Sequence, residues 1–126
     1  MTKCMSFFIG IDLVEIKRIN SIIEKSGDTF LNRIYTKTEQ EYCNSNSNPN
    51  IHYAGRFAAK EAVKKAIMSS GIKESISLKS IEIDRKKNGE PFISTVFKDG
   101  WLLKVSISHT DDYATAFAIY FPEWNY

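Results

Sequence analysis

One segment constrains the fold of this chain more than any other. His52–Ser69 is rich in alanine and lysine, carries no proline, and has one glycine, Gly55, near its start. Such a composition favours an uninterrupted helix. At about 100° per residue, Ala58, Ala59, Ala62, Val63, Ala66 and Ile67 share one broad apolar arc. Glu61, Lys64 and Lys65 lie outside it. Gly71 stands where a C-terminal cap ends such a helix. After it the apolar period changes from helical to alternating. Leu78, Ile81 and Ile83 sit among polar residues and predict a strand. Asn88-Gly89 is a hairpin signal, and Pro91–Phe97 is the returning strand. Asp99-Gly100 marks a second turn. Trp101–Ser108 and Ala114–Phe121 read as two more strands around a turn at His109–Asp112.

Upstream of the helix, Met5–Ile11 is a short apolar run closed by glycine and aspartate, which fits a buried strand ending at Asp12. From Leu13 to Lys25 the apolar residues Ile16, Ile19, Ile22 and Ile23 follow a helical period with charge on the other face. Ser26-Gly27-Asp28 breaks this helix, and Phe30, Leu31 and Ile34 predict a short second one. Thr38 followed three residues later by Glu41 has the form of a capping box, opening a helix that runs to Tyr42 or Cys43. Asn44–Asn50, rich in asparagine and serine, is a loop. This order predicts an α+β fold: an antiparallel sheet covered on one face by a long helix and shorter helices. With 126 residues, a single domain over 1–126 is expected.

Charge and composition exclude several classes of function. A net charge of +2, from 17 basic and 15 acidic residues, lacks the strong basic excess of a nucleic-acid-binding domain. A module of that kind built on Arg56, Lys60, Lys64 and Lys65 is disfavoured for the same reason. No apolar run approaches the ~18 residues of a membrane span. The N-terminal run lacks the parts of a secretion signal, so a cytoplasmic location is expected. Cys4 and Cys43 are far apart, with no metal-binding spacing, and read as free thiols.

The residues able to carry chemistry are few. Asp12 stands at the expected strand end, as a site carboxylate or as the N-cap of the following helix. Glu61 is either a ligand or the partner of Lys65 in an exposed i, i+4 pair. If Asp12 and Glu61 meet, they offer hard oxygen ligands in small number. That suits Mg2+, which keeps waters and takes further ligands from substrate phosphates. Lys65, one turn after Glu61, is then placed to reach a phosphate. Arg56, Lys60 and Lys64 add basic charge on the same helix, where solvation of a helix face is the alternative. His109, after an alternating strand, can act as acid, base or phosphate donor. Neither GxxxxGK[ST] nor GxGxxG occurs.

Three segments together resemble one family. They are Ile9-Gly10-Ile11-Asp12-Leu13-Val14-Glu15-Ile16-Lys17-Arg18-Ile19, then Tyr53-Ala54-Gly55-Arg56-Phe57-Ala58-Ala59-Lys60-Glu61-Ala62-Val63-Lys64-Lys65-Ala66, then Val105-Ser106-Ile107-Ser108-His109-Thr110. They are similar in sequence and order to the holo-acyl-carrier-protein synthases, the short bacterial type of 4′-phosphopantetheinyl transferase. Asn88-Gly89-Glu90-Pro91 resembles a turn of the same family.

The resemblance implies transfer of the 4′-phosphopantetheine group of coenzyme A to a serine of an apo acyl carrier protein, in fatty acid biosynthesis. It implies Asp12 and Glu61 as magnesium ligands and Lys65 as a phosphate contact. It implies Arg56, Lys65 and His109 in coenzyme A binding, and Glu61, Lys65 and His109 in catalysis. Arg18 matches a basic residue that docks the acidic carrier. A homotrimer is implied, with active sites between neighbouring subunits. Glu61 is the first candidate for the base that takes the serine proton, and Asp12 the second. The stretch Phe97–Trp101 looks shorter than the corresponding segment of many relatives, and the aromatic tail Phe121–Tyr126 has no recognised counterpart.

Overall fold

A computed structural model describes residues 6–95, 97 and 101–122. The elements run β1 (Phe8–Glu15), α1 (Ile16–Ile34), α2 (Lys37–Asn44), α3 (Pro49–Ser69), a 3-10 turn (Leu78–Ser80), β2 (Ile83–Arg85), β3 (Pro91–Ile93), β4 (Leu102–His109) and β5 (Tyr113–Phe121). The α+β architecture is as expected. Among the described residues, however, the strands form two sheets: a three-stranded antiparallel sheet in the order β1-β5-β4, and a separate β2-β3 ribbon. The turn expected at Asp99-Gly100 and most of the aromatic tail lie outside the described residues.

α3 is the centre of the fold. It packs along β1, β5 and β4 on one side and meets α1, α2 and β2 on others. Its alanines, Ala54, Ala58, Ala59, Ala62 and Ala66, are fully buried. They allow close approach to a sheet whose facing positions are also small: Gly10, Ala114, Ala116 and Ala118. The approach is closest at Gly10. A Cβ built there would lie 1.9 Å from the Ala62 carbonyl oxygen and 2.7 Å from the Ala66 nitrogen. Glycine within a strand marks such contacts between backbones.

Several boundaries differ from the sequence reading, each for a local reason. β1 continues past Ile11 to Glu15 because residues through Glu15 pair with β5, as in Asp12↔Ala116 and Glu15↔Tyr113. Asp12 therefore lies within a strand, and the N-cap of α1 is Glu15. The break at Ser26-Gly27-Asp28 is a kink at Gly27, whose φ of 48° is a conformation that glycine adopts without steric cost. The capping box sits two residues earlier than expected. Thr36 accepts from the Glu39 backbone N–H, and the Glu39 carboxylate accepts from that of Thr36. α3 starts at Pro49 rather than His52, since proline at the first helical position loses no helical hydrogen bond. Gly71, with φ of 90°, follows the C-cap Ser70. The strand expected around Leu78–Ile83 is divided into the 3-10 turn and β2.

The opposite face of the three-stranded sheet is open and apolar. Ile9, Ile11 and Leu13 of β1 and Tyr113 and Phe117 of β5 all point away from α3, with Leu13 66% exposed and Ile11 64%.

Candidate active site

The first and second motifs are joined by one ion pair. Lys65 Nζ lies 3.0 Å from Asp12 Oδ1 and donates a second bond of 3.0 Å to the Ile11 carbonyl. Asp12 is on the α3 side of β1, in the same alternation as Gly10 and Val14, and its side chain is 15% exposed against 52% for Lys65. The Gly10–Ala62 contact sets this juxtaposition, because it presses β1 onto the middle of α3. Glu61, half-buried, stands one turn before Lys65 on the same helix. Lys65 thus pairs across to Asp12 and lies in no ion pair with Glu61, which removes the i, i+4 alternative. On the strand side, Thr115 Oγ1 donates 2.8 Å to the Asp12 carbonyl and steadies the backbone there.

His109 ends β4 and is exposed. Its Nδ1 lies 3.2 Å from the Thr110 carbonyl oxygen. The turn after it is tied by Thr110, whose Oγ1 accepts from the backbone N–H groups of Asp112 and Tyr113. Ile16 N–H donates 2.8 Å to the Asp112 carbonyl, which brings this turn against the start of α1. β5 lies between β4 and β1 and His109 is in register with Val14, so His109 and Asp12 of one chain are separated by about 12 Å, two strand spacings across the sheet and two residues along it. One chain does not bring His109 to the Asp12–Lys65 corner. Arg18 is exposed on α1.

The alternative of a solvated helix face does not hold for Arg56 and Lys60. α3 is enclosed on several sides, so both point inward: Arg56 is 2% exposed and Lys60 fully buried. Lys60 pairs at 2.6 Å with a buried Glu39. The Arg56 guanidinium lies 3.8 Å over the Tyr42 ring, and that of Arg85 5.2 Å from the same ring centre. The Nε atoms of both arginines are buried without a hydrogen-bond partner among the described residues, although buried polar atoms are nearly always paired. His52 belongs to the same cationic corner. Burial lowers its pKa most, followed by the charges of Arg56, Arg85 and His109. Burial likewise pushes the Cys43 thiol up to about 12, so it stays protonated and unreactive.

The sequence alone does not single out His52, Arg85 and Glu39. The signal available for Arg85 was only its place at the hairpin before Asn88-Gly89. For Glu39 it was a capping box read two residues out of register.

Comparison with known proteins gives the family. The family profile described as the 4′-phosphopantetheinyl transferase superfamily matches residues 8–118. The chain is 47% identical over 122 residues to the holo-[acyl-carrier-protein] synthase of Protochlamydia amoebophila, covering 92% of this chain and 98% of that one. Among solved structures it resembles the holo-(acyl-carrier-protein) synthase of Bacillus anthracis in complex with CoA (3′,5′-ADP). The TM-score is 0.79 at 32% identity, over 94% of this chain and 98% of that one. It also resembles the Helicobacter pylori enzyme in complex with coenzyme A, with a TM-score of 0.74 at 33% identity, over 87% and 96% of the two chains. The chain belongs to the 4′-phosphopantetheinyl transferase superfamily, in its holo-[acyl-carrier-protein] synthase family.

Proposed function

We propose that this protein is a magnesium-dependent holo-[acyl-carrier-protein] synthase, which transfers 4′-phosphopantetheine from coenzyme A to a serine of an apo acyl carrier protein in fatty acid biosynthesis. The observation that carries this reading is the Lys65–Asp12 pair, which places a carboxylate of β1 beside the helix turn that also bears Glu61. Among the described residues no group of three or more His, Cys, Asp or Glu side chains gathers as a metal site. A set of two carboxylates, Asp12 and Glu61, fits Mg2+, which needs few protein ligands when substrate phosphates supply others. When bound, the ion neutralises pyrophosphate charge and polarises the phosphoryl oxygens.

The transfer forms a bond between the serine oxygen and the β-phosphorus of coenzyme A. It breaks the bond from that phosphorus to the bridging oxygen, which leaves with 3′,5′-ADP. The serine proton goes to a carboxylate, Glu61 first and Asp12 second. Lys65 is exposed enough to leave Asp12 and follow the charge on the phosphates. His109 binds coenzyme A from a neighbouring subunit. Arg56 and Arg85, with unpartnered Nε atoms, supply positive charge around Tyr42 for its anionic end. Arg18 docks the acidic carrier. No helix among the described residues is long and apolar enough to cross a membrane.

A homotrimer agrees with the open sheet face, since exposed apolar patches of this kind mark interfaces. Leu13→Asp should convert the assembly to monomers, read by light scattering, and lower turnover by roughly 100-fold or more if each site needs two chains. An unchanged mass would overturn the assignment of this face. The function itself is tested by incubating the protein with coenzyme A, Mg2+ and an apo acyl carrier protein. The expected result is a carrier mass increased by one phosphopantetheine, and no gain with several bacterial carriers would refute it.

A further inference from the structure

We propose that the buried Glu39–Lys60 ion pair is a positioning device for this reaction, holding the turn of α3 that bears Glu61 in register with the segment that bears Arg85. The proposal rests on the function proposed above. Lys60 directly precedes Glu61 and follows Arg56 by one turn. Its ammonium has three protons and three acceptors: Glu39 Oε1 at 2.6 Å, the Leu78 carbonyl at 3.0 Å and the Ile81 carbonyl at 2.8 Å. Glu39 Oε1 also accepts from Thr36 N–H at 2.8 Å, and Oε2 accepts from Ile83 N–H at 2.9 Å. Both side chains are 0% exposed. Two side chains therefore fasten four elements together: the start of α2, the middle of α3, the 3-10 turn and the first residue of β2.

Stability alone does not account for such a pair. Burying two charges costs several kcal/mol per ion, and well-packed apolar residues often serve as well or better. Directed bonds provide something that apolar packing does not. α3 cannot turn about its axis or slide past β2 without lengthening several of them at once. Glu61 is the next residue, so a fixed direction for Lys60 fixes that of Glu61. Tyr42 lies three residues after Glu39, and Arg85 two after Ile83. The pair therefore also sets the spacing between the Glu61 turn and the Arg56–Tyr42–Arg85 cluster.

The test compares Lys60→Met with Ile19→Ala, a truncation in the core of α1 that lowers the melting temperature without touching the pair. Both are assayed at a temperature where each is folded. Lys60→Met should raise the KM for coenzyme A and weaken Mn2+ binding, read by electron paramagnetic resonance, by about tenfold each, while kcat falls by about 100-fold, the penalty typical of misplacement near 1 Å. Ile19→Ala should keep wild-type values for all three. Equal kinetic losses in both variants, or wild-type values in Lys60→Met, would overturn the positioning role. If Lys60→Met does not fold, Glu39→Gln replaces it, with the same two outcomes. If the wild type binds Mn2+ but transfers nothing, the functional reading fails, and the Mn2+ affinities still decide the positioning.

Discussion

Gly10→Ala is expected to destabilise this protein by about 4 kcal/mol or more, at the upper end of what single substitutions do. The added methyl would meet the backbone oxygen of Ala62 at 1.9 Å and the backbone nitrogen of Ala66 at 2.7 Å. Neither atom belongs to a side chain that can rotate away. Relief requires α3 to move off β1, which opens the alanine-lined seam along the whole sheet. Overpacking in a core costs typically 1–3 kcal/mol even where side chains can shift, so a clash between two backbones lies above that. Thermal unfolding followed by circular dichroism should show a fall of roughly 15 °C or more, at about 4 °C per kcal/mol for a domain of this size. Gly55→Ala is the control. Its new methyl would meet only Ile107 Cγ2 at 3.2 Å, a side-chain atom that can yield, so its loss should be much smaller. A Gly10→Ala protein melting within a few degrees of wild type would mean that β1 does not rest on α3 as described. Activity should fall with stability here, since the same contact brings Asp12 to the turn bearing Glu61 and Lys65.

What the sequence disclosed follows from how local each signal was. The long helix was legible because alanine content and the absence of proline act residue by residue. The hairpin at Asn88-Gly89 was legible because Gly89, with φ of 88°, satisfies a purely local demand. The inward direction of Arg56 and Lys60 was not legible. A helical wheel separates charged from apolar positions on the assumption that a helix has a wet side. α3 is surrounded for much of its length, so Arg56 and Lys60 find their partners inside, on α2 and near β2. Those partners, Tyr42 and Glu39, are remote in sequence, and no spacing rule links them. Asp12 looks like a strand end because its own strand looks finished at Ile11. Only the pairing with β5, contributed about a hundred residues later, carries the strand on to Glu15. The two candidate ligands are marked by the motifs around them, whereas the place of Asp12 against α3 is visible only in its pair with Lys65.

Asp12→Asn and Glu61→Gln should each lower phosphopantetheine transfer by roughly 100- to 1,000-fold, the loss seen when one preorganised electrostatic partner is removed from a reacting centre, while leaving the fold intact. Both changes keep side-chain volume. Neither touches the buried network, since Asp12 bonds to a half-exposed lysine and Glu61 stands about 100° around α3 from Lys60. An ion pair with one exposed partner contributes little stability, about 1 kcal/mol or less, so the melting temperature of Asp12→Asn should stay close to wild type. The two variants should also lose affinity for Mn2+ measured directly, which separates a ligand from a residue that merely shapes the pocket. Lys65→Met gives the informative contrast. It removes the ammonium that neutralises Asp12 in the free protein, so Mn2+ alone should bind at least as well as to wild type. Transfer should still fall, because the phosphate contact is lost. Near-normal turnover by Asp12→Asn or Glu61→Gln in magnesium would remove both carboxylates from the metal site. Weaker Mn2+ binding by Lys65→Met would mean that the lysine supports the ion and does not compete with it for Asp12.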